Sequence, residues 1–191
     1  NNGVTSVDLT GWSVQYASST GTTWNRTNLS GSIAAGGYYL IKQADGANTA
    51  ALALPTPDAT GTIAMSGTAG KIALANNQTT LTGACPTGGA IVDFVGFGTA
   101  NCSETAPTPA PSNSLAVLRA DSGCTDTANN STDFATGAPN PRNSAVTAFV
   151  CGGGGTPLVS VNDVSAFEGD SGTTQFFFAF GLSQPAGPGG V

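Results

Sequence analysis

Ile91-Val92-Asp93-Phe94-Val95-Gly96-Phe97 is the stretch on which the reading of this chain turns. It is almost unbroken in strand-forming residues, which predicts a strand at the centre of a sheet. With a period of two, Ile91, Asp93, Val95 and Phe97 share one face, and Val92, Phe94 and Gly96 the other. Toward the C-terminus, Thr105–Pro111 carries three prolines and is expected as an extended or polyproline loop. Ser114–Arg119 returns to alternation, a turn-rich run follows from Asp121 to Ser144, and Ala145–Val150 is expected as a last short strand. Toward the N-terminus, Lys71–Ala75, Tyr38–Lys42, Thr23–Leu29 and Trp12–Tyr16 read as strands, with Trp24, Arg26 and Asn28 placed on one face. Ala50–Pro57 fits either a short helix or an irregular crossover. Six or seven short strands separated by turn signals, with no 3.6-residue stripe, predict an all-β, immunoglobulin-like antiparallel β-sandwich.

Composition narrows the function classes. Of 191 residues, 27 are Gly and 11 Pro, 39% are hydrophobic and only 8% charged, which fits neither a disordered chain nor a helical one. The formal net charge is −6, and the five basic residues (Arg26, Lys42, Lys71, Arg119, Arg142) are scattered, so direct nucleic-acid binding is not expected. No apolar run reaches the roughly 18 residues that a membrane span needs.

Four cysteines (Cys85, Cys102, Cys124, Cys151) occur without any His or Cys-x-x-Cys pair, which favours two disulfides over a zinc site and implies a secreted or cell-surface protein. Four cysteines allow three pairings. We favour sequence neighbours, Cys85–Cys102 and Cys124–Cys151, because the first would flank the 91–97 strand and the second would staple the end of the domain.

Candidate chemistry is sparse, and no catalytic residue is assigned. Without His, a Ser or Thr nucleophile lacks its usual base, and there is no Gly-x-Ser-x-Gly elbow. Asp93, in an apolar strand, is a candidate for acid–base work; the competing expectation is that it caps a turn or accepts hydrogen bonds from backbone amides. The oxygen-rich run Asp121–Asp133 could hold calcium, yet its sixth and twelfth residues are Asp126 and Thr132 rather than the Gly and Glu of an EF-hand. Its residue types equally build Asx-turns without any metal. Trp12 and Trp24 are expected in the core, although an exposed Trp24 could serve as a ligand platform.

The glycines of Cys151-Gly152-Gly153-Gly154-Gly155-Thr156-Pro157 read as a linker. They divide the chain into a domain at 1–151, a linker at 152–157 and a second β-rich segment at 158–191. That segment offers Leu158–Val161, a turn at Glu168–Gly172 and a strand at Thr173–Leu182 with Phe176-Phe177-Phe178. Two strands alone do not make a stable sheet, so it is expected as part of a larger domain.

Val7-Asp8-Leu9-Thr10-Gly11-Trp12-Ser13-Val14 resembles the opening signature of lamin-tail domains. The resemblance continues through Ala35–Ile41, Val92–Gly98 and Gly137–Ser144, in the family's order and across most of residues 1–151. It implies an immunoglobulin-like sandwich from a bacterial secreted multidomain protein, with further strands expected upstream of Asn1. Residues 158–191 resemble the opening part of a Calx-β domain, through Val159–Val164 and Phe167–Gly172. That resemblance implies Glu168 as one Ca²⁺ ligand in a complete domain, the other acidic ligands lying in later loops, with no cofactor in the present chain itself. The expected role is a non-catalytic spacer, adhesion or protein-interaction module, with an unknown protein or cell-surface partner. The alternative is an accessory region of an extracellular nuclease or phosphodiesterase whose catalytic domain lies outside residues 1–191.

Overall fold

The computed structural model describes residues 1–46 and 53–151, together with the backbone of 159–161 and 180–182. Nearly every regular element is a strand. In chain order these are β1 (Val7–Asp8), β2 (Ser13–Ser18), β3 (Asn25–Asn28), β4 (Ser32–Ile33), β5 (Ile41–Lys42), β6 (Ala59–Thr60), β7 (Gly70–Ala75), β8 (Ile91–Phe97), β9 (Ala116–Arg119) and β10 (Phe134–Gly137). A 3-10 turn at Asp121–Gly123 and a single helical turn, α1 (Asn130–Asp133), separate β9 from β10. The main sheet runs β3-β2-β7-β8, antiparallel throughout. Two-stranded pairs β1–β4 and β9–β10 are also antiparallel, and β5–β6 is parallel. The fold is all-β.

The two faces of the main sheet are covered by different chemistry. Tyr16 and Ile72 are register partners on one face, where they pack with Phe97 and Ile63. The Tyr16 hydroxyl there accepts from Ser66 N at 3.0 Å. The opposite face carries Ser13, Gln15, Ala17, Lys71, Ala73 and Ala75, all buried. These residues are small or polar, and the 76–85 segment lies across them. Ser13 Oγ donates to Asn77 O, Gln15 Nε2 to Thr79 O, and Leu81 N donates to Gln15 Oε1. Trp24, 3% exposed, adds its indole N–H to Gly83 O at 2.9 Å.

Lys71 is the most unusual member of this face, with no exposed surface at all. Its ammonium donates to Gly21 O at 2.8 Å, Ala84 O at 2.7 Å and Asn101 Oδ1 at 2.9 Å, so its three donors meet three neutral acceptors. Burial lowers its pKa from the ordinary lysine value, and among the described residues no carboxylate forms an ion pair with it to offset that.

Several sequence expectations need correction. β8 is an edge strand rather than a central one. Loop segments cover its free edge, while its faces are only partly covered: Phe97 is buried and Val92 is exposed. Thr108 alone of the proline-rich run pairs with that edge, through Thr108 N to Gly96 O at 2.8 Å and Gly98 N to Thr108 O at 3.1 Å. Pro107 and Pro109 have no N–H, which limits the pairing to one bridge. Ala145–Val150 forms no strand; Asn143 opens a turn there, and Phe149 N donates to Gly36 O. A strand appears instead at Phe134–Gly137, within the turn-rich run. Only Ile41–Lys42 of the third expected strand is extended in a ladder. Trp24 is buried whereas Arg26 and Asn28 are exposed, yet the three share one face as expected: Arg26 and Asn28 stand opposite Gln15 and Ser13, and Trp24 packs against Ala17 and Ala73 on that side. Trp12 is only half-buried.

Asp58 joins the two ends of this unit. Its carboxylate accepts from Leu40 N at 2.7 Å and Ser144 N at 3.0 Å, and from the Ser144 hydroxyl. Burial pushes its pKa up, but the bonds from Ser144 and Leu40 outweigh that and hold it below the usual carboxylate value.

The chain divides into two compact units, Asn1–Phe149 and Val150–Val191. In the second, β11 (Val159–Val161) pairs antiparallel with β12 (Phe180–Leu182), Val159 opposite Leu182. The glycines 152–155, Glu168 and Phe176–Phe178 lie outside the described residues.

Replacing Lys71 with Met keeps the stem and removes the donors from three carbonyl oxygens. K71M is expected to cost about 1–3 kcal/mol in urea unfolding, the range for leaving buried acceptors unsatisfied. An unchanged midpoint would show that the ammonium contributes nothing net.

Candidate functional site

One group of charged side chains, Asp93, Glu104, Arg119, Asp126 and Asp133, gathers where β8, the 102–109 segment, β9 and the 121–133 segment meet. Arg119, at the end of β9, is their centre. Its side chain is 13% exposed and lies 2.8 Å from Asp93 Oδ2, 3.3 Å from Asp126 Oδ1 and 3.8 Å from Asp133 Oδ2. It also donates to Thr125 O at 3.1 Å. Phe134 is its cross-strand partner in β10, and the guanidinium carbon sits 4.4 Å from that ring centroid. A delocalised cation on an aromatic face with carboxylates around its rim is a stable way to bury charge.

Asp93 therefore takes neither role expected of it: its partner is a guanidinium rather than a backbone amide or a second catalytic carboxylate. The Asp121–Asp133 run folds on itself. Asp133 is fully buried and accepts from Thr127 Oγ1 at 2.6 Å, Thr127 N at 2.9 Å and Asn129 N at 3.4 Å. Those bonds, the Thr127 hydroxyl first, hold its pKa below the ordinary value against the opposing effect of burial. Asn129 caps α1 by accepting from Ser131 N. Among the described residues, no three His, Cys, Asp or Glu side chains are placed to hold a metal ion. Arg119 is the charge partner shared by Asp93, Asp126 and Asp133.

Asn130, the first residue of α1, was not singled out by sequence. Its buried amide accepts from Gly96 N at 2.9 Å and donates to Phe94 O at 3.1 Å, so one side chain pairs with the free edge of β8 as a neighbouring strand would. It also donates to Glu104 Oε2 at 2.8 Å. Gly96 is required there, because a Cβ at that position would meet Cys102 O and Ser103. Burial raises the pKa of Glu104, and Asp93 and Asp126 raise it further, against the Asn130 bond and Arg119.

Beside Glu104 lies a pocket of about 330 Å³ walled by Pro86, Thr87, Ile91, Phe94, Ser103 and the Cys85–Cys102 disulfide. That bridge has a Cα–Cα separation of 5.6 Å and spans 17 residues, a loop for which chain entropy gives roughly 3 kcal/mol of stabilisation. Cys124 and Cys151 are disulfide-bonded as well, and no described cysteine is free. No helix of the described residues is long and apolar enough to cross a membrane. Glu168, the expected calcium ligand, falls outside the described residues. Trp24 is not a ligand platform, since its ring is buried 5.9 Å from Phe94.

Compared with protein-family models, curated proteins and solved structures, the chain matches none.

Two measurements test this geometry. Arg119→Met leaves Asp93, Asp126 and buried Asp133 without their shared cation, and a lowered melting temperature is expected, partly restored by adding Asp133→Asn. The raised pKa of Glu104 has its own signature. Between the ordinary and raised values the folded chain holds the proton more tightly than the unfolded chain, so this contribution to stability falls as pH rises. Glu104→Gln should therefore gain stability relative to the parent as pH rises above the ordinary glutamate value of about 4.3. Parallel melting curves across that range would contradict it.

Proposed function

We propose that this chain is a non-catalytic, extracellular β-module that acts as a spacer, adhesion or protein-interaction unit. The observation that carries the reading is the Arg119 network. The carboxylates that sequence offers for acid–base or metal chemistry (Asp93, Asp126, Asp133) are engaged with one guanidinium and with turn amides. Two disulfides support an oxidising compartment. The net charge of −6, with basic side chains that gather into no patch, supports a partner other than nucleic acid.

On this reading, residues 1–151 are a lamin-tail-like β-sandwich and 158–191 the beginning of a Calx-β domain. The resemblance of Val7–Val14, Ala35–Ile41, Val92–Gly98 and Gly137–Ser144 to the first family supports the assignment, as does the all-β fold. Asp58 ties the second of those segments to the fourth through Leu40 and Ser144. Glu168 then becomes a Ca²⁺ ligand once the remaining acidic loops of a whole domain are present, since the ion needs six to eight oxygens.

The purified chain is expected to show no hydrolysis of DNA, phosphodiester, peptide or glycoside substrates, with or without added divalent metal. Activity abolished by a point substitution within residues 1–191 would overturn the proposal. For calcium, calorimetry should detect no tight binding by this chain, and Glu168-dependent binding by one extended through the full second domain. Non-reducing peptide mapping should join Cys85 to Cys102 and Cys124 to Cys151.

A further inference from the structure

We propose that the pocket beside the Cys85–Cys102 disulfide receives a lysine side chain presented by a partner protein. The proposal rests on the interaction-module reading and names the chemistry of its partner. Pro86, Ile91, Phe94 and the disulfide form an apolar floor, and Glu104 stands in the wall. An alkyl stem ending in a cation is the side-chain type that uses both surfaces at once.

Charge selects the sign of the occupant. Among the described residues, no lysine or arginine forms an ion pair with Glu104. Asp93 and Asp126 lie close enough to act on it electrostatically, and the nearby cation, Arg119, is already shared among Asp93, Asp126 and Asp133. The pocket wall therefore carries negative charge that an incoming ammonium would offset, and burial of Glu104 strengthens that attraction relative to an exposed carboxylate.

Geometry selects lysine over arginine. Asn130 Nδ2 donates to Glu104 Oε2 at 2.8 Å, so a guest meets a carboxylate with one of its oxygens already engaged. A guanidinium binds a carboxylate best through both oxygens as a fork, whereas an ammonium is a point charge that needs only one. The site is rigid on three sides: the disulfide fixes Cys85 against Cys102, Asn130 fixes Glu104, and β7 fixes β8. Little ordering cost remains for a guest to meet.

The test is an NMR titration of the ¹⁵N-labelled chain with the Nα-acetyl methylamides of lysine, arginine and norleucine. Amide shifts are expected at Gly88, Ile91, Ser103 and Glu104, with the lysine compound binding roughly fivefold tighter than norleucine, the size of a partly solvated ion pair. Glu104→Gln should erase that preference while leaving norleucine binding in place. Thr87→Trp, which puts a large ring on the pocket lining, should abolish both with the remaining spectrum unchanged. Acidification through the Glu104 titration should weaken lysine binding and leave norleucine binding unchanged. Equal binding of lysine and norleucine, shifts centred elsewhere, a preference that survives Glu104→Gln, or no binding at millimolar ligand would each overturn the proposal. The titration reads binding only, so its failure leaves the non-catalytic reading standing, and hydrolytic activity would defeat that reading without touching this one.

Discussion

Carbonyl oxygens laid across a sheet need donors, and the rest of this fold depends on where those donors come from. A strand partner supplies them through the ladder; a loop cannot. Here the 76–85 segment crosses one face of the main sheet, and the sheet's own side chains meet its backbone: Ser13, Gln15, Trp24 and Lys71. Ala17, Ala73 and Ala75 between them are small enough to let that backbone approach. The ammonium of Lys71 reaches three separate segments, at Gly21, Ala84 and Asn101. Burying that charge is unfavourable by itself, and its folded geometry holds because every donor is matched.

The edge of β8 meets the same requirement differently. An apolar strand with an unpaired edge is a template for association. Asn130 and Thr108 take up the groups of Phe94, Gly96 and Gly98, and α1 exists as a single capped turn that delivers Asn130 to that position. Arg119 then ties the 121–133 segment to β8 through Asp93 and Asp133. The pocket, the disulfide and Glu104 are consequences of this edge treatment, since all three sit on the segments brought in to cover it.

What sequence could show follows from the range of each interaction. β8 and β7 were legible because β-forming residues and turn signals are local. The bounds of β8 follow directly from Ile91–Phe97. Its edge position was not legible, because strand order depends on contacts between distant segments. Asn130 looked like any Asn in a polar run; its role arises only when Phe94 and Gly96, more than 30 residues away, are placed beside it. The burial of Lys71 was not legible for a different reason. Lysine ordinarily lies at the surface, yet Lys71, Ala73 and Ala75 are the fully buried set and Ile72 and Leu74 only half-buried. The signal available was the run of small residues on the same face, which marks close backbone approach rather than exposure.

The placement of the few basic residues has a consequence for recognition. Lys71 is wholly buried and Arg119 largely so. Arg142 stacks on Tyr38 at 3.9 Å from the ring centroid and donates to its hydroxyl. Arg26 donates to Gln78 O and to Thr80, and Lys42 pairs with Asp45. All five cations thus have intramolecular partners, while the acidic residues outnumber them 11 to 5. On the interaction-module reading, such a charge balance favours basic partners over polyanions at a distance comparable to the Debye length, roughly 8 Å at physiological salt. Long-range attraction of that kind supplies orientation but little selectivity. Selectivity requires a place where a cation loses water against an apolar wall, and in the described unit Glu104 beside the Cys85–Cys102 bridge combines those two elements.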